Sequence, residues 1–362
     1  MTEIWLNYGQ NEVVLDIQAE NLDQRLSVEG QTLEGSKVDE KLDGIDLSKP
    51  TEIALLNYTN SVQEVLGKIF EKCEVKSFSK PKIFAEKKII SHVKSNNPED
   101  VIINEFDTDE LSDSNLTFLA EMEFDGLFGF ETISTRLLKR FGKSQMLDAF
   151  KKRDGDTPNP GKAIPNVDIA KKFVDGFDIS SIELVANSKG ISDLSVGHPK
   201  DSISLRKSFA DSCTKTMERQ RTMIVSTGKH ASNQTLYTSL NSVWNCYDGV
   251  KNQGLVILLA ECLNGTGSES FQQFIDGRLT IERIKNATKY IDGMENLLYL
   301  SEIQKRFQVG LVSILPELYV KKLGMIPIGG VKKSMDYILK NQSERQKVQI
   351  IEDSARILLR QN

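Results

Sequence analysis

The chain has 362 residues, of which 39% are hydrophobic and 27% are charged, and its formal net charge is −5 at pH 7. This length exceeds one ordinary hydrophobic core and predicts two domains, while the acidic balance argues against a nucleic-acid partner. No apolar run reaches the roughly 18–20 residues that a membrane helix needs. The opening segment lacks the pattern of a signal peptide, so we expect a cytoplasmic protein that does not bind membranes.

Short apolar runs without polar alternation predict strands that are covered on both faces. These runs lie at 52–58, 100–106, 181–187, 222–228, 254–262, 309–315 and 347–353. Between them, apolar residues recur at helical spacing, most clearly over 61–73 and 234–251. The alternation predicts an α/β fold with mostly parallel sheets. We place two domains at 1–217 and 218–362, with a cleft between them, because a second run of strands follows the polar segment 213–221.

Two loops of the second half follow predicted strands and are the first places to look for a ligand. The run 222–228 leads through Ser226 and Gly228 to His230, and then to a helix that carries Tyr237. The run 254–262 leads to a loop that contains Gly265 and Gly267. Glycines let backbone N–H groups approach an anion closely, and a helix start adds partial positive charge. The alternative is an ordinary turn in which Ser268 caps the next helix.

Histidine and cysteine supply few candidates for metal binding or catalysis. The three histidines are His92, His198 and His230, and no two of them are close in the sequence. His230 is the best placed, because it follows a strand end beside Gly228 and Lys229. The four cysteines include no Cys-x-x-Cys pair, so the sequence indicates neither a zinc site nor a disulfide framework.

The second half of the chain resembles the carboxyl-terminal domain of the lactate racemase family. The resemblance rests on "IVSTGKHASNQTLYTSLNSVWN" and "VKNQGLVILLAECLNGTGSESFQQF", which match the family's strand, Asn-Leu-Tyr-Gln helix start, second strand and Gly-x-Gly loop in order and spacing. Further similarity appears in "LGMIPIGG", in "KVQIIEDSARILL" and in the opening "IWLNYGQNEVVLD". The resemblance spans most of the chain and is diffuse only between about 60 and 125.

Membership would imply an isomerase, because characterised members racemise or epimerise 2-hydroxy acids with a lysine-tethered nickel-pincer nucleotide. The family's phosphate loop corresponds to "LNYTNSV", in which Asn57 and Thr59 remain polar. Ser134 stands where the family has a histidine, and the tether lysine falls on Ser144 or, shifted by one, on Lys143. Tyr237 matches the family, whereas a lysine four residues later is replaced by asparagine. The family's Gly-Thr-His-Arg motif, expected near 75–95, has no counterpart in "VKSFSKPKIFAEKK", and 150–162 contains no histidine.

These losses favour a divergent protein for which we expect no bound metal and no cofactor. We expect it to act on, or to bind, a 2-hydroxy acid or a similar small anion in the inter-domain cleft. The candidate catalytic residues are His230, Lys143 and Tyr237. The candidate ligand-binding residues are Thr59, Asn57, Ser226, Gly228, Gly265 and Gly267. Two alternatives stay open: a noncatalytic protein that senses a metabolite or binds a protein partner, and an active nickel-pincer racemase.

Overall fold

The computed structural model describes residues 2–27, 30–108, 110–111 and 116–362. Its strands are β1 Thr2–Tyr8, β2 Asn11–Ile17, β3 Leu22–Leu26, β4 Glu52–Leu55, β5 Lys82–Ala85, β6 Ile103–Glu105, β7 Leu116–Glu121, β8 Glu123–Asp125, β9 Gly129–Glu131, β10 Ser180–Asn187, β11 Gly190–Gly197, β12 Thr214–Met217, β13 Gln220–Ser226, β14 Val250–Leu259, β15 Gln308–Val312, β16 Ile326–Pro327, β17 Val348–Ile351 and β18 Leu358–Gln361.

The helices alternate with these strands along the chain. They are α1 Gly35–Leu42, α2 Asn60–Val75, α3 Ile90–Ser95, α4 Ile133–Phe141, α5 Lys143–Lys151, α6 Val167–Val174, α7 Ile203–Cys213, α8 Leu236–Ser239, α9 Asn241–Cys246, α10 Glu269–Ile275, α11 Ile281–Lys285, α12 Met294–Ile303, α13 Glu317–Lys322 and α14 Val331–Asn341. None of the described helices is long and apolar enough to cross a bilayer.

Two separate sheets carry the fold, which confirms the predicted α/β class. The first sheet has the strand order β11-β10-β7-β4-β5-β6 and is parallel except for the β10–β11 pair. The second has the order β16-β15-β14-β13-β17-β3 and is parallel throughout. Both sheets have apolar strands that are covered on both faces, as the unalternating runs of the sequence predicted.

Local sequence explains where the helices begin. The helix predicted over 61–73 is confirmed as α2, and the apolar residues at its helical spacing are buried. Thr59 ends the preceding extended segment and accepts a hydrogen bond from the backbone N–H of Val62 at 3.2 Å. Such a cap satisfies one of the donors that every helix start leaves unpaired. The helix predicted over 234–251 is instead divided into α8, α9 and a 3₁₀ turn.

The sequence runs located most of the second sheet but missed central strands of the first. β5 and β7 flank β4 in the sheet, yet neither was predicted. β5 is four residues long, and its apolar positions are too few to show a period. The run at 100–106 contributes only the short edge strand β6.

The amino terminus lies with the second sheet, not with the first, while the boundary at residue 217 stays a prediction. β3 pairs in parallel with β17, with Leu22 opposite Val348. The β1–β2 hairpin places Leu6 and Leu15 in the same apolar cluster as Leu255. The physical reason is that β13 and β14 present an apolar face that the hairpin covers. We call the sheet of β13, together with residues 2–26, the second domain, and the sheet of β4 the first domain.

We expect the hairpin to contribute to the stability of the second domain through its buried face. Leu15 is 0% exposed, whereas Trp5 on the opposite face is 57% exposed. Replacing Leu15 by alanine should lower the free energy of unfolding by roughly 2–5 kcal/mol, because it removes buried methyl groups and leaves a cavity. The control Trp5→Ala should change it by less than about 0.5 kcal/mol. Urea denaturation measures both, and equal effects of the two substitutions would contradict the placement of the hairpin.

Candidate functional site

The carboxyl ends of the central strands in the two sheets meet where each sheet reverses its chain order. In the first sheet β5 and β6 lie on one side of β4, and β7 lies on the other. In the second sheet β14 and β15 lie on one side of β13, and β17 lies on the other. Such switch points are where open α/β sheets bind their ligands. Here a network of charged side chains fills the space between the two switch points.

The centre of this network is an ion pair between the two domains. Arg356 donates from Nε and Nη2 to the two carboxylate oxygens of Glu121, both at 2.8 Å. Thr59 Oγ1 donates to the same carboxylate at 2.5 Å. Burial disfavours the charged form of Glu121, which is 2% exposed, but Arg356 outweighs burial and holds the pKa of this carboxyl below its usual value. We call Thr59, Glu121, His230, Asp353 and Arg356 the junction cluster.

His230 lies at the edge of the junction cluster, in the second domain. Its Nε2 is 3.5 Å from Asp353 Oδ2, and the side chain is almost fully buried. Nδ1 has no hydrogen-bond partner among the residues that the structure describes. Burial by itself would raise the pKa of the Asp353 carboxyl. His230 and Arg356 outweigh this effect and hold the pKa below its ordinary value. The aspartate therefore stays ionised beside the imidazole, neither nitrogen of which forms a hydrogen bond with the described residues. A small polar cavity of about 250 Å³ adjoins the pair.

Three further candidates have structural partners at this junction. Asn57 donates to the backbone oxygen of Glu121 and accepts from its N–H, both at 2.9 Å, and so ties β4 to β7. Ser226 Oγ donates to the backbone oxygen of Asn7 at 2.6 Å and holds the amino-terminal hairpin. Gly228 has a φ of +77°, and a Cβ there would lie 2.6 Å from an oxygen of Asp353. These residues build the junction, and a ligand role for them stays a prediction.

The glycine loop after β14 packs on the start of α8 through its carbonyl groups. The oxygens of Gly265 and of the next residue accept hydrogen bonds from the N–H groups of Leu236 and Tyr237, both at 3.0 Å. A Cβ on Gly267 would lie 2.3 Å from Thr235 Cβ, so this glycine permits close approach of two chain segments. The carbonyl oxygens of the loop thus occupy the start of α8, and the expectation that its N–H groups face an anion stays a prediction.

Other features of this loop agree with the alternative of an ordinary turn. Ser268 Oγ accepts a hydrogen bond from the backbone N–H of Ser270 at 3.2 Å and thereby caps α10. Asn264 Nδ2 donates to the backbone oxygen of Lys88 at 3.4 Å. The loop therefore touches the first domain at one point and helps to define the edge of the cleft.

The cleft itself is a cavity of about 480 Å³ beside the junction cluster. The first domain contributes Lys87 and Lys88, which follow β5, and the second contributes Tyr237 and Asp292. Tyr237 Oη donates to Asp292 Oδ1 at 2.9 Å. Burial and the nearby carboxylates raise the pKa of Tyr237 well above its usual value, so the phenol keeps its proton. Lys88 Nζ lies 2.8 Å from a carboxylate oxygen of Glu86.

Charges along one wall of the cleft are neutralised by close partners. Lys139 Nζ lies 2.7 Å from Asp125 and 2.9 Å from Glu131. Arg136 pairs with Glu131 at 3.2 Å and with Glu123. Although burial opposes ionisation, these two cations lower the pKa of Glu131 to about 2. A ligand at this wall meets ion pairs that are already formed. Lys88 is also paired, with Glu86, so among the described lining residues Lys87 is the cation without an acidic partner.

The structure separates the candidates that the sequence grouped together. Thr59 and His230 meet in the junction cluster, whereas Tyr237 lines the cleft. Lys143 does neither, because its side chain is 75% exposed and its nearest acid is the exposed Glu110 at 3.8 Å. Its place at the first residue of α5, with a φ of +42°, directs it away from both sites.

Nitrogen donors suited to nickel do not gather at either site. His198 is held by the backbone of Phe177 and Lys200, and His92 lies on the surface helix α3. Ser134, at the position of a family histidine, is buried and donates to the backbone oxygen of Pro199 at 3.0 Å. Within residues 2–27, 30–108, 110–111 and 116–362, no group of three or more His, Cys, Asp and Glu side chains has the arrangement to hold a metal. That the protein holds no nickel-pincer nucleotide stays a prediction.

The charged residues that join the domains were not found from the sequence. Glu121 lies in the mostly apolar run "LTFLAEMEF", which also contains Glu123, and Arg356 is the one charged residue in "SARILL". A charge in such a run is a usable signal, because buried charges in proteins are paired. The pairing itself could not be read, since the two residues are 235 positions apart.

Comparison with known proteins shows which sequences and folds this chain resembles. Residues 216–359 match the model of the lactate racemase C-terminal domain. The lactate racemase apoprotein from Thermoanaerobacterium thermosaccharolyticum superposes with a TM-score of 0.71 at 15% identity, covering 99% of this chain and 100% of that one. A protein from Thermotoga maritima gives a TM-score of 0.65 at 10% identity, covering 92% and 100%. No curated protein sequence matches. Residues 216–359 are therefore similar to the lactate racemase C-terminal domain, and the chain as a whole has the fold of the lactate racemase apoprotein.

Proposed function

We propose that this protein binds a 2-hydroxy acid or a similar small carboxylate in the cleft between its domains, without a nickel-pincer nucleotide. The observation that carries the proposal is the lining of the cleft. The first domain contributes Lys87 and Lys88 to it, and the second contributes Tyr237 and Asp292. A carboxylate can accept hydrogen bonds from the lysines, and charge-assisted hydrogen bonds of this kind are the stronger ones. An adjacent hydroxyl can then accept from Tyr237 or donate to Asp292.

Binding is better supported than catalysis by the protonation states around the cleft. Removal of a proton next to a carboxylate needs a base whose pKa lies near the working pH. Tyr237 stays protonated because its pKa is raised, so it acts as a hydrogen-bond donor. Glu295 has a pKa raised to about 8 by burial, but it is 2% exposed and Tyr290 donates to both of its oxygens. It is therefore sealed from a ligand in the cleft.

The side chains available as nickel ligands argue against the chemistry of the family's active members. Nickel prefers nitrogen and sulfur ligands, and a serine hydroxyl such as that of Ser134 does not replace an imidazole. A tether would also need a lysine that faces the cleft at the family's position, and Lys143 faces solvent instead. The family's isomerase activity through this cofactor is thus not the function that the geometry supports.

Titration of lactate by calorimetry should show saturable binding that depends on Lys88. The substitution Lys88→Gln removes a charge-assisted partner worth about 1.5–3 kcal/mol, so affinity should fall roughly ten- to a hundredfold. The control Lys289→Gln makes the same change at an exposed position outside the cleft and should leave affinity unchanged. Tyr237→Phe should abolish any preference of the protein for lactate over propionate. If the native protein binds none of lactate, glycolate and malate, the proposal fails.

Expression together with the enzymes that make the family's cofactor should yield protein without stoichiometric nickel. The reason is the absence of imidazole donors at Ser134 and around the cleft. Elemental analysis gives the nickel content, and intact mass detects a tethered nucleotide. One nickel per chain, with a matching mass increase on a lysine, would contradict the proposal. Exchange of the lactate α-proton with deuterated solvent provides a separate readout for catalysis and is expected to stay at the rate without protein.

A further inference from the structure

A second cavity, of about 560 Å³, lies within the first domain and shares no lining residue with the cleft. It opens between α6, α7, β9 and the segment 161–165 that precedes α6. Its apolar wall is formed by Phe128, Phe130, Ile164 and Val167, each at most 6% exposed. The volume lies within the roughly 300–1,000 Å³ that small-molecule sites usually have. The cavity is therefore large enough for a small apolar molecule.

One charged side chain in this cavity lacks a partner. Arg206 lines the cavity from α7 and is half-buried. Its Nε is enclosed without a hydrogen bond, and across the part of the chain that the structure describes its guanidinium forms no ion pair. Burial lowers the pKa of Arg206, against the weaker influence of Glu183 and Asp168. Burying the Nε donor of a charged group without an acceptor is costly, so this residue points to an anion.

The charged residues near the cavity leave positive charge that one negatively charged group of a ligand can neutralise. Lys171 and Lys207 line it, and Asp168 is the acid among its lining residues. Asp168 already lies 3.4 Å from Lys171. Behind Arg206, burial raises the pKa of Glu183 to about 7, and one of its oxygens accepts from the backbone N–H of Ile133 at 2.8 Å. Arg206 and Lys207 therefore remain to face a ligand.

We propose that this cavity is a binding site for an apolar monocarboxylate, whose carboxylate lies on Arg206 and whose hydrocarbon part lies against Phe128, Phe130 and Val167. The planar guanidinium matches a carboxylate in a two-bond geometry that a lysine cannot reproduce. A hydrophilic acid such as lactate would leave the apolar wall uncovered, so the two sites of the protein select different molecules. This site does not depend on the function proposed for the cleft.

Calorimetric titration with hexanoate, octanoate and decanoate, each below its micellar concentration, tests the site. Each pair of methylenes that enters the apolar cavity should raise the affinity roughly tenfold. Arg206→Gln should weaken decanoate at least tenfold while changing the affinity for decanol less than twofold. The matched control Arg278→Gln, whose side chain is 65% exposed, should bind decanoate like the native protein.

Two further variants keep the result interpretable. Ala163→Trp places bulk at the exposed rim and should weaken decanoate and decanol alike, while an unchanged melting temperature shows that each variant folds. Lys88→Gln should keep full decanoate affinity, which separates this site from the cleft. The proposal is overturned if decanoate shows no saturable binding, if Arg206→Gln binds it unchanged, or if Lys88→Gln loses it.

Discussion

The buried ion pair between Arg356 and Glu121 fixes how the two sheets face each other. Glu121 ends β7 of the first sheet, Arg356 follows β17 of the second, and both side chains are largely buried. Removing one partner of a buried pair typically costs about 3–5 kcal/mol, because the other charge is left without compensation. Thr59 and Asp353 extend the pair into a network that spans both switch points. The width of the cleft beside this network therefore depends on the pair remaining closed.

Filling the switch points has a consequence for where a ligand can bind. In other open α/β sheets the crevice beyond the reversing strands holds the ligand. Here Glu121 places the protein's own carboxylate at the start of α2, where an external anion would otherwise find a helix terminus and the Thr59 hydroxyl. The space open to a ligand is instead the cleft, which lies at the end of β5 and beside α8. There Lys88 and Tyr237 lie on opposite walls, and neither depends on the residues that hold the domains together.

Sequence patterns located what is local and missed what is distant. The class of fold, the buried strands and α2 follow from apolar spacing, and the meeting of Thr59 with His230 follows from their places after strand ends. The addition of β1–β3 to the second sheet could not be predicted, because hydrophobic periodicity does not say which apolar face a strand covers. Lys143 shows the opposite error. Its place in the sequence predicts the tether position of the family. In the structure it lies at a helix start with a positive φ, and its side chain faces solvent.

At the wall of the cleft, one lysine lies near two acids whose pKa values are shifted in opposite directions. Lys139 pairs closely with Glu131 of its own domain and lies 4.0 Å from Glu295 of the other. Its charge, with that of Arg136, keeps Glu131 ionised, whereas burial keeps Glu295 protonated near neutral pH. A neutral Glu295 can approach the first domain without adding a negative charge to a wall that already holds several. Contact between the domains thus rests on ionised pairs at the junction and on a protonated acid beside the cleft, which allows both contacts to be buried at once.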